Sequence, residues 1–477
     1  MTMQTKWLLL PALLTVSGCA SLDTSVKVPE VKLPAAYEGN ASGRAIAQMN
    51  WKEYFADENL NGLITLALKG NYDLLMALQR IEIARASIKQ TTGALYPQVS
   101  FGVGAAVRKF GLYTMDGAGN ATTDMTPGKR VPEHLPDFLI GLQSTWEVDV
   151  WGKLRSLRGS ARAQLLATIE GTNVVITNLV ADIAIAYIEL VALDHTQSLL
   201  EQTVERQAEM VELMQAQKDA GRANELAVKQ FEAQLANTRA MVAETKRWSR
   251  ELENHINLLV GRMPQPIVRS KDLLLRPIAA TVAAGVPSDL LRNRPDIREA
   301  EQQVEATKFD LAAARAAFFP SLSLSAGIGF QAFDPRYLFI TPESLVYSLA
   351  AGILTPLVNR SGLEAQFDAA KALQVQALYN YQGTILRSFV EVANGLVALE
   401  RTAEIVEQKK LQKEAVSRTV ETAEALFRTG KATYLEVLVA QQNTLDADLE
   451  LIDRLKERQI AAVRLYRALG GGWREVR

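Results

Sequence analysis

The segment Ala94-Leu95-Tyr96-Pro97-Gln98-Val99-Ser100 returns later in the chain as Ala317-Phe318-Phe319-Pro320-Ser321-Leu322-Ser323. Pro97 and Pro320 are 223 residues apart, and so are Asp73 and Asp296 upstream. There, Asn71-Tyr72-Asp73 and Arg294-Pro295-Asp296 each open a helical run. Farther on, Gly221-Arg222-Ala223 returns as Gly430-Lys431-Ala432 at a spacing of 209. Fixed spacings over such stretches mark a tandem duplication. The shrinkage from 223 to 209 assigns the longer loop between strands to the first half.

Each proline is followed by strand-like alternation. Val99, Phe101, Val103, Ala105 and Val107 alternate with Ser100, Gly102, Gly104 and Ala106. Residues 138–150 do the same, with Phe138, Ile140, Leu142, Trp146, Val148 and Val150 on the apolar side. The second half repeats the pattern over 322–330 and 345–353. Period-two alternation predicts a sheet with one greasy face and one small, polar face. Each run is as long as a tilted membrane-crossing strand, about 10 residues. A pair of soluble amphipathic hairpins packed on helices fits the same alternation. In lipid, four strands leave open edges and close no channel, so several chains would have to pool them.

The helical runs are long. Lys153 to about Asp219 contains no proline, and Ile176, Leu179, Ile183, Ala186, Leu190 and Leu193 recur at alternating spacings of three and four. That is a heptad-like seam. About 65 residues of helix span roughly 100 Å. The turn at Asp219-Ala220-Gly221-Arg222 reverses the chain into a helix reaching about Val260, ended by Gly261-Arg262-Met263-Pro264. The second half matches: Leu363 to Arg428, a turn at Thr429-Gly430-Lys431, and a return helix to Leu469-Gly470.

The net charge of −1 gives no basic surplus for phosphate neutralisation, which argues against nucleic-acid binding. The single cysteine, Cys19, excludes a disulfide framework and cysteine-ligated metal. It follows Lys6 and an apolar stretch from Trp7 to Val16, too short to span a bilayer. That is the anatomy of a secretory leader over 1–18, and Val16-Ser17-Gly18-Cys19 reads as a bacterial lipobox. Cys19 would then carry an N-terminal diacylglycerol and an acyl chain such as palmitate. Residue 20 is Ala, so an inner-membrane-retaining aspartate is missing there. After the leader no stretch approaches 18 uninterrupted apolar residues, so no transmembrane helix is expected.

With these pieces in place, the sequence resembles the outer membrane factor family, the TolC/OprM-like exit ducts of tripartite exporters. The matching segments are Trp51-Lys52-Glu53-Tyr54-Phe55, Asp57-Glu58-Asn59-Leu60, Glu147-Val148-Asp149-Val150-Trp151-Gly152-Lys153 and Leu290-Leu291-Arg292-Asn293-Arg294-Pro295-Asp296-Ile297. Ala313-Ala314-Arg315-Ala316-Ala317-Phe318-Phe319-Pro320-Ser321, Tyr434-Leu435-Glu436-Val437-Leu438 and Leu469-Gly470-Gly471-Gly472-Trp473 complete them. The resemblance implies a mainly α fold with membrane β: a homotrimer with a twelve-stranded outer membrane barrel and a twelve-helix periplasmic tunnel. It also implies a periplasmic adaptor, an inner-membrane resistance-nodulation-division pump, outer membrane lipid as surroundings, and passive export of a cargo that the sequence leaves open among drugs, solvents, organic acids and metal ions. A mixed belt around the tunnel falls near 40–65, 262–290 and the C-terminus. The chain then divides into a leader (1–18), a tether with first helices (19–97), a first transmembrane hairpin (98–150) and a first helical hairpin (151–261). An equatorial segment with the second-repeat helix (262–319), a second transmembrane hairpin (320–358), a second helical hairpin (359–469) and a tail (470–477) follow.

A duct needs a gate and a docking surface rather than bond chemistry. Glu421 and Glu424, three apart on one helix face, precede the Gly430 turn. Threefold symmetry makes such acids a ring that biases cation passage. Arg428 and Lys431 stand close enough in sequence to hold the mouth shut by pairing with them. Gly221, Arg222, Ala223, Gly430, Lys431 and Ala432 resemble the family's adaptor-docking tips. Trp146 and Trp151 fit either an interfacial aromatic belt or packing at the strand–helix junction. Gly327-Ile328-Gly329-Phe330-Gln331-Ala332 imitates a dinucleotide fingerprint but lies in a strand pattern. His134, His195 and His255 are isolated, so no catalytic or metal site is expected and no cofactor beyond the lipid. The rival readings are a lipid-anchored periplasmic coiled-coil scaffold, a type I secretion exit duct and a periplasmic hydrolase, for which no triad or nucleophile elbow is present.

Overall fold

The duplication is written directly into the secondary structure. In a computed structural model that describes residues 24–26, 28, 32–37, 49–276, 287–355 and 360–474, α3 (Tyr72–Gly93) and α8 (Pro295–Ala316) both have 22 residues. Likewise β1 (Gln98–Lys109) and β5 (Ser321–Ala332) both have 12. The long helices are α5 (Lys153–Asp219) and α9 (Ser361–Arg428), and the return helices are α6 (Glu225–Val260) and α10 (Tyr434–Ala468). The leader and Cys19 lie outside the described residues. Two compact units emerge from the pattern of contacts.

The first unit comprises Met1–Val28, Glu82–Leu166 and Gln302–Tyr379. Its sheet runs in the order β1-β4-β5-β6, where β4 is His134–Val148 and β6 is Leu345–Leu354, all antiparallel. Register decides what each face presents. Phe101, Leu142, Ile328 and Tyr347 lie directly opposite one another across the four strands. In the single chain they are 66%, 48%, 56% and 82% exposed. One residue over, the row reads Ser100, Gln143, Gly327 and Ser348. The greasy and polar faces therefore separate as the alternation requires, and β1 and β6 are left as edges.

One sequence reading needs correction here. The strand read over 138–150 begins four residues earlier, at His134, and stops at Val148. It stops because Asp149 turns its carboxylate onto the backbone N–H groups of Leu154 and Arg155, at 3.0 and 2.9 Å, capping α5. Burial opposes this charge, but those N–H bonds and the Arg155 guanidinium outweigh it and hold the Asp149 carboxyl below its usual range. The loop after β1, longer than its second-half counterpart as the repeat spacing requires, contains α4 (Met115–Thr122), β2 (Asp124–Thr126) and β3 (Lys129–Arg130).

The second unit comprises Pro29–Ile81, Ala167–Glu301 and Asn380–Arg477. The heptad-like seam is its core, with Ile176, Leu179, Ile183, Ala186 and Leu190 at most 6% exposed, while Leu193 is half-buried. Against it pack α1 (Trp51–Phe55) and α2 (Glu58–Gly70). Tyr54 stacks on Tyr466 of α10 at 4.3 Å and donates to the Ala462 carbonyl. Asp57 caps α2 through Leu60 N and accepts from the Tyr187 hydroxyl.

The two halves close their hairpins in the same way. In the first, Asn71 Nδ2 donates to Leu259 O at 2.8 Å, at the end of α6. In the second, Arg294 Nη1 donates to Ala468 O at 2.8 Å, at the end of α10. Beside each bond a left-handed glycine touches backbone: Gly261 (φ 80) faces Gly70 O, and Gly470 (φ 82) faces Asn293 O. A Cβ at Gly261 would meet Gly70 O at 2.0 Å, so only glycine fits. The Asn-Tyr-Asp and Arg-Pro-Asp motifs thus fasten the end of each return helix to the start of its own half.

Candidate functional site: the hairpin tips and the sheet

Both long hairpins reverse through one turn geometry. Gly221 N bonds Lys218 O at 2.9 Å and Arg222 N bonds Gln217 O at 2.8 Å. At the same spacing of 209, Gly430 N bonds Phe427 O at 3.0 Å and Lys431 N bonds Leu426 O at 2.9 Å. The glycines take φ of 66° and 70° in open space, so conformation and not crowding selects them. The return helices then start from caps: Asn224 accepts from Ala227 N, and Thr433 N donates to Glu436. That backbone bond, with the Thr433 hydroxyl, holds the Glu436 carboxyl below its ordinary range. Arg222 and Lys431 are exposed at the turns, while Ala223 and Ala432 are half-buried.

Of the candidate gate residues, Glu421 and Arg428 are exposed and Glu424 is half-buried. Glu424 Oε1 accepts from Gln441 Nε2 at 3.0 Å, tying α9 to α10. Among the described residues, no ion pair joins Glu421 or Glu424 to Arg428 or Lys431 within the chain.

Both tryptophans singled out from sequence are tied at the strand–helix junction of the first unit. Trp146 Nε1 donates to Leu95 O at 3.1 Å. Trp151 Nε1 donates to Pro320 O at 2.7 Å, and its ring stacks on Phe319 at 4.9 Å. Half of Trp151 nonetheless stays exposed, as suits a ring with one wet and one apolar side. Gly327–Ala332 lies inside β5, paired with β4 throughout and with β6 as far as Phe330, rather than in a strand-to-helix turn. The three histidines are not brought together: His134 opens β4, His195 Nε2 sits 2.7 Å from Lys271 O, and His255 is on α6.

Sequence reasoning missed one charged cluster in the second unit. Arg269 forks onto Asp194 at 2.5 and 2.7 Å and reaches Glu253 at 2.6 Å. The Asp194 bonds, followed by those to Glu253, hold the Arg269 guanidinium above even its usual range against the opposing effect of burial. It clamps the segment after α6 to both α5 and α6. These partners are 75 and 16 residues away, and no local pattern announces them.

A family model described as outer membrane efflux protein matches residues 63–262 and 286–471. The cation efflux system protein CusC of Escherichia coli (strain K12) is 30% identical over 467 residues, covering 96% of this chain and 97% of that protein. The solvent efflux pump outer membrane protein SrpC of Pseudomonas putida is 31% identical over 494 residues, covering 99% of each. Among solved structures, a membrane protein from Pseudomonas aeruginosa has a TM-score of 0.82 at 27% identity, over 94% of this chain and 98% of its own.

Proposed function

Because the chain belongs to the outer membrane efflux protein family, we propose that it is the exit-duct subunit of a tripartite efflux system. In this reading three copies pool their strands into a twelve-stranded barrel and their long helices into a twelve-helix tunnel. Cargo handed over by an inner-membrane pump and a periplasmic adaptor leaves passively through that duct. Its role is transport, and no bond chemistry is required of it.

The observation that carries the reading is the sheet. Its apolar row is exposed on every strand, and among the described residues the outer edges of β1 and β6 have no strand partner. In water such a face is an aggregation hazard; in lipid the face is solvated and the edges must be paired. Neighbouring copies supply those partners. Heat-modifiable trimers recovered from the outer membrane fraction are the expected result. A monomer soluble without detergent would sink the proposal.

The relatives CusC and SrpC are named for cation and solvent efflux at almost equal identity. We accordingly assign cargo choice to the pump and not to this chain. At the tunnel mouth, three copies would bring Glu421 and Glu424 into a carboxylate ring, with Arg428 and Lys431 drawn to acids of neighbouring chains. Glu421→Ala with Glu424→Ala is expected to lower cation preference in planar-bilayer conductance, and unchanged selectivity would remove both residues from the gate. Cys19 is the proposed acylation site and the N-terminus of the mature chain. Cys19→Ser should abolish incorporation of labelled fatty acid yet leave trimers in the membrane, since the strands provide their own attachment.

A further inference from the structure

Where strands give way to helices, the first unit holds a cavity of about 460 Å³. Part of its lining is one face of α8. Lys308 and Arg315 stand there seven residues, or two helical turns, apart, with Phe319 just beyond the helix end. Trp151 stacks on Phe319 at 4.9 Å, and its indole N–H is already taken by Pro320 O. Gln374 of α9 and Thr24 also line the cavity.

Two independent features point to a ligand. The first is charge: Lys308 and Arg315 line the cavity, and no carboxylate among the described residues does. Lys308 pairs with Glu305 at 2.9 Å, whereas Arg315 is exposed and has no ion pair among the described residues. The second is Gln374, which is only 8% exposed and whose Oε1 is buried with no hydrogen-bond partner. Buried amide oxygens are almost always paired, so an orphan on a cavity wall asks for a donor from within the cavity. A ligand that answers both features carries an anion with a hydrogen-bond donor beside it.

The level of the cavity narrows the choice. Trp151 comes three residues after β4 ends, and Phe319 two residues before β5 begins, so the cavity is flush with the ends of the two central strands. If the sheet lies in a bilayer, this level is the headgroup layer, where amphipathic rings collect. Thr24 is five residues after Cys19, a reach of at most about 18 Å, so acyl chains on Cys19 would enter the same leaflet. We propose that the cavity holds the headgroup of a glycerophospholipid from the leaflet that faces the periplasm. Arg315 takes the phosphate with its planar fork, and Gln374 Oε1 accepts from the ethanolamine ammonium or glycerol hydroxyl beyond it. Lys308, two turns farther from the strands, adds positive potential. Such a lipid would hold the strand–helix junction at a set depth in the membrane. The proposal rests on the outer membrane placement above.

Native mass spectrometry of the detergent-solubilised full chain tests this, after the protein is stripped of lipid and exposed to equal amounts of phosphatidylethanolamine, phosphatidylglycerol and phosphatidylcholine. One tightly held phospholipid per chain is expected. The first two should be retained about tenfold over the third, whose quaternary ammonium donates no hydrogen bond. Arg315→Gln should lower retention of all three about tenfold, the loss of one charge-assisted bond. Gln374→Leu should erase the preference and leave phosphatidylcholine retention unchanged; it also removes the orphan oxygen, so folding is not at risk. Excess inorganic phosphate should not displace the lipid, and displacement would overturn the headgroup assignment in favour of a free-phosphate site. Retention that is the same in the wild-type and Arg315→Gln proteins overturns the site and leaves the duct intact. A chain that stays in solution without detergent overturns the membrane placement, and the site with it.

Discussion

Arginine in place of Ile328 is expected to stop the chain from assembling in the membrane, while arginine in place of Ser348 leaves assembly intact. Ile328 sits near the middle of β5, in the row with Phe101, Leu142 and Tyr347, and is 56% exposed in the single chain. If that face meets hydrocarbon, a guanidinium there costs about 2–4 kcal/mol per chain near the bilayer midplane. In the proposed barrel, three copies would multiply the cost. Ser348 belongs to the opposite row, with Ser100, Gln143 and Gly327, and its side chain would stand in a water-filled lumen. Its arginine variant should form trimers in normal yield and conduct less, since the added side chain narrows the pore. Trimer yield in the outer membrane fraction reads the first effect and single-channel conductance the second. Equal yields for the two variants would mean that the sheet faces have been assigned wrongly or that no bilayer covers them.

The strand faces were legible because alternation is a local signal that tertiary context did not override. Its edges were less so. The early start of β4 was hidden by Pro136, which reads as a breaker. It is accommodated because β5 has already ended at Ala332, so Pro136 pairs only with Val107 and lies where β4 is itself an edge. Within the loop, α4 contains Gly117 and Gly119 and has too few apolar residues to mark a face. The hairpin tips were legible from the repeat alone, down to the residue that takes the left-handed turn. The clamps were not. Arg269 finds Asp194, and Arg294 finds Glu391, across 75 and 97 residues, and only the folded backbone brings them together.

Arg294→Met is expected to be the most destabilising single change in the second unit. The Arg294 side chain is 10% exposed and forks onto Asp296 at 3.0 and 2.7 Å. It also reaches Glu391 of α9 at 2.7 Å and the Ala468 carbonyl at the end of α10. Burial alone would disfavour the charge; Asp296 and then Glu391 outweigh it and hold the guanidinium above its usual range. Removing one partner from a buried ion pair costs about 3–5 kcal/mol, because the remaining groups keep their desolvation without their counter-charge. Asp296 and Glu391 are 31% and 50% exposed, so water takes up part of their charge and the lower end of that range is expected. The twin position provides an internal standard. Asn71→Ala removes bonds to Leu259 O and Leu74 N but leaves no charge behind. It should cost only about 1–2 kcal/mol, the value of neutral hydrogen bonds. In thermal unfolding of the detergent-solubilised protein, the Arg294 variant should therefore melt well below the Asn71 variant. The same order should appear in amide exchange at the last turn of α10 relative to the last turn of α6, since the return helix each residue ties down is that of its own half. If both variants melt together, the second half is not fastened by charge, and the Arg-Pro-Asp motif is merely the start of a helix.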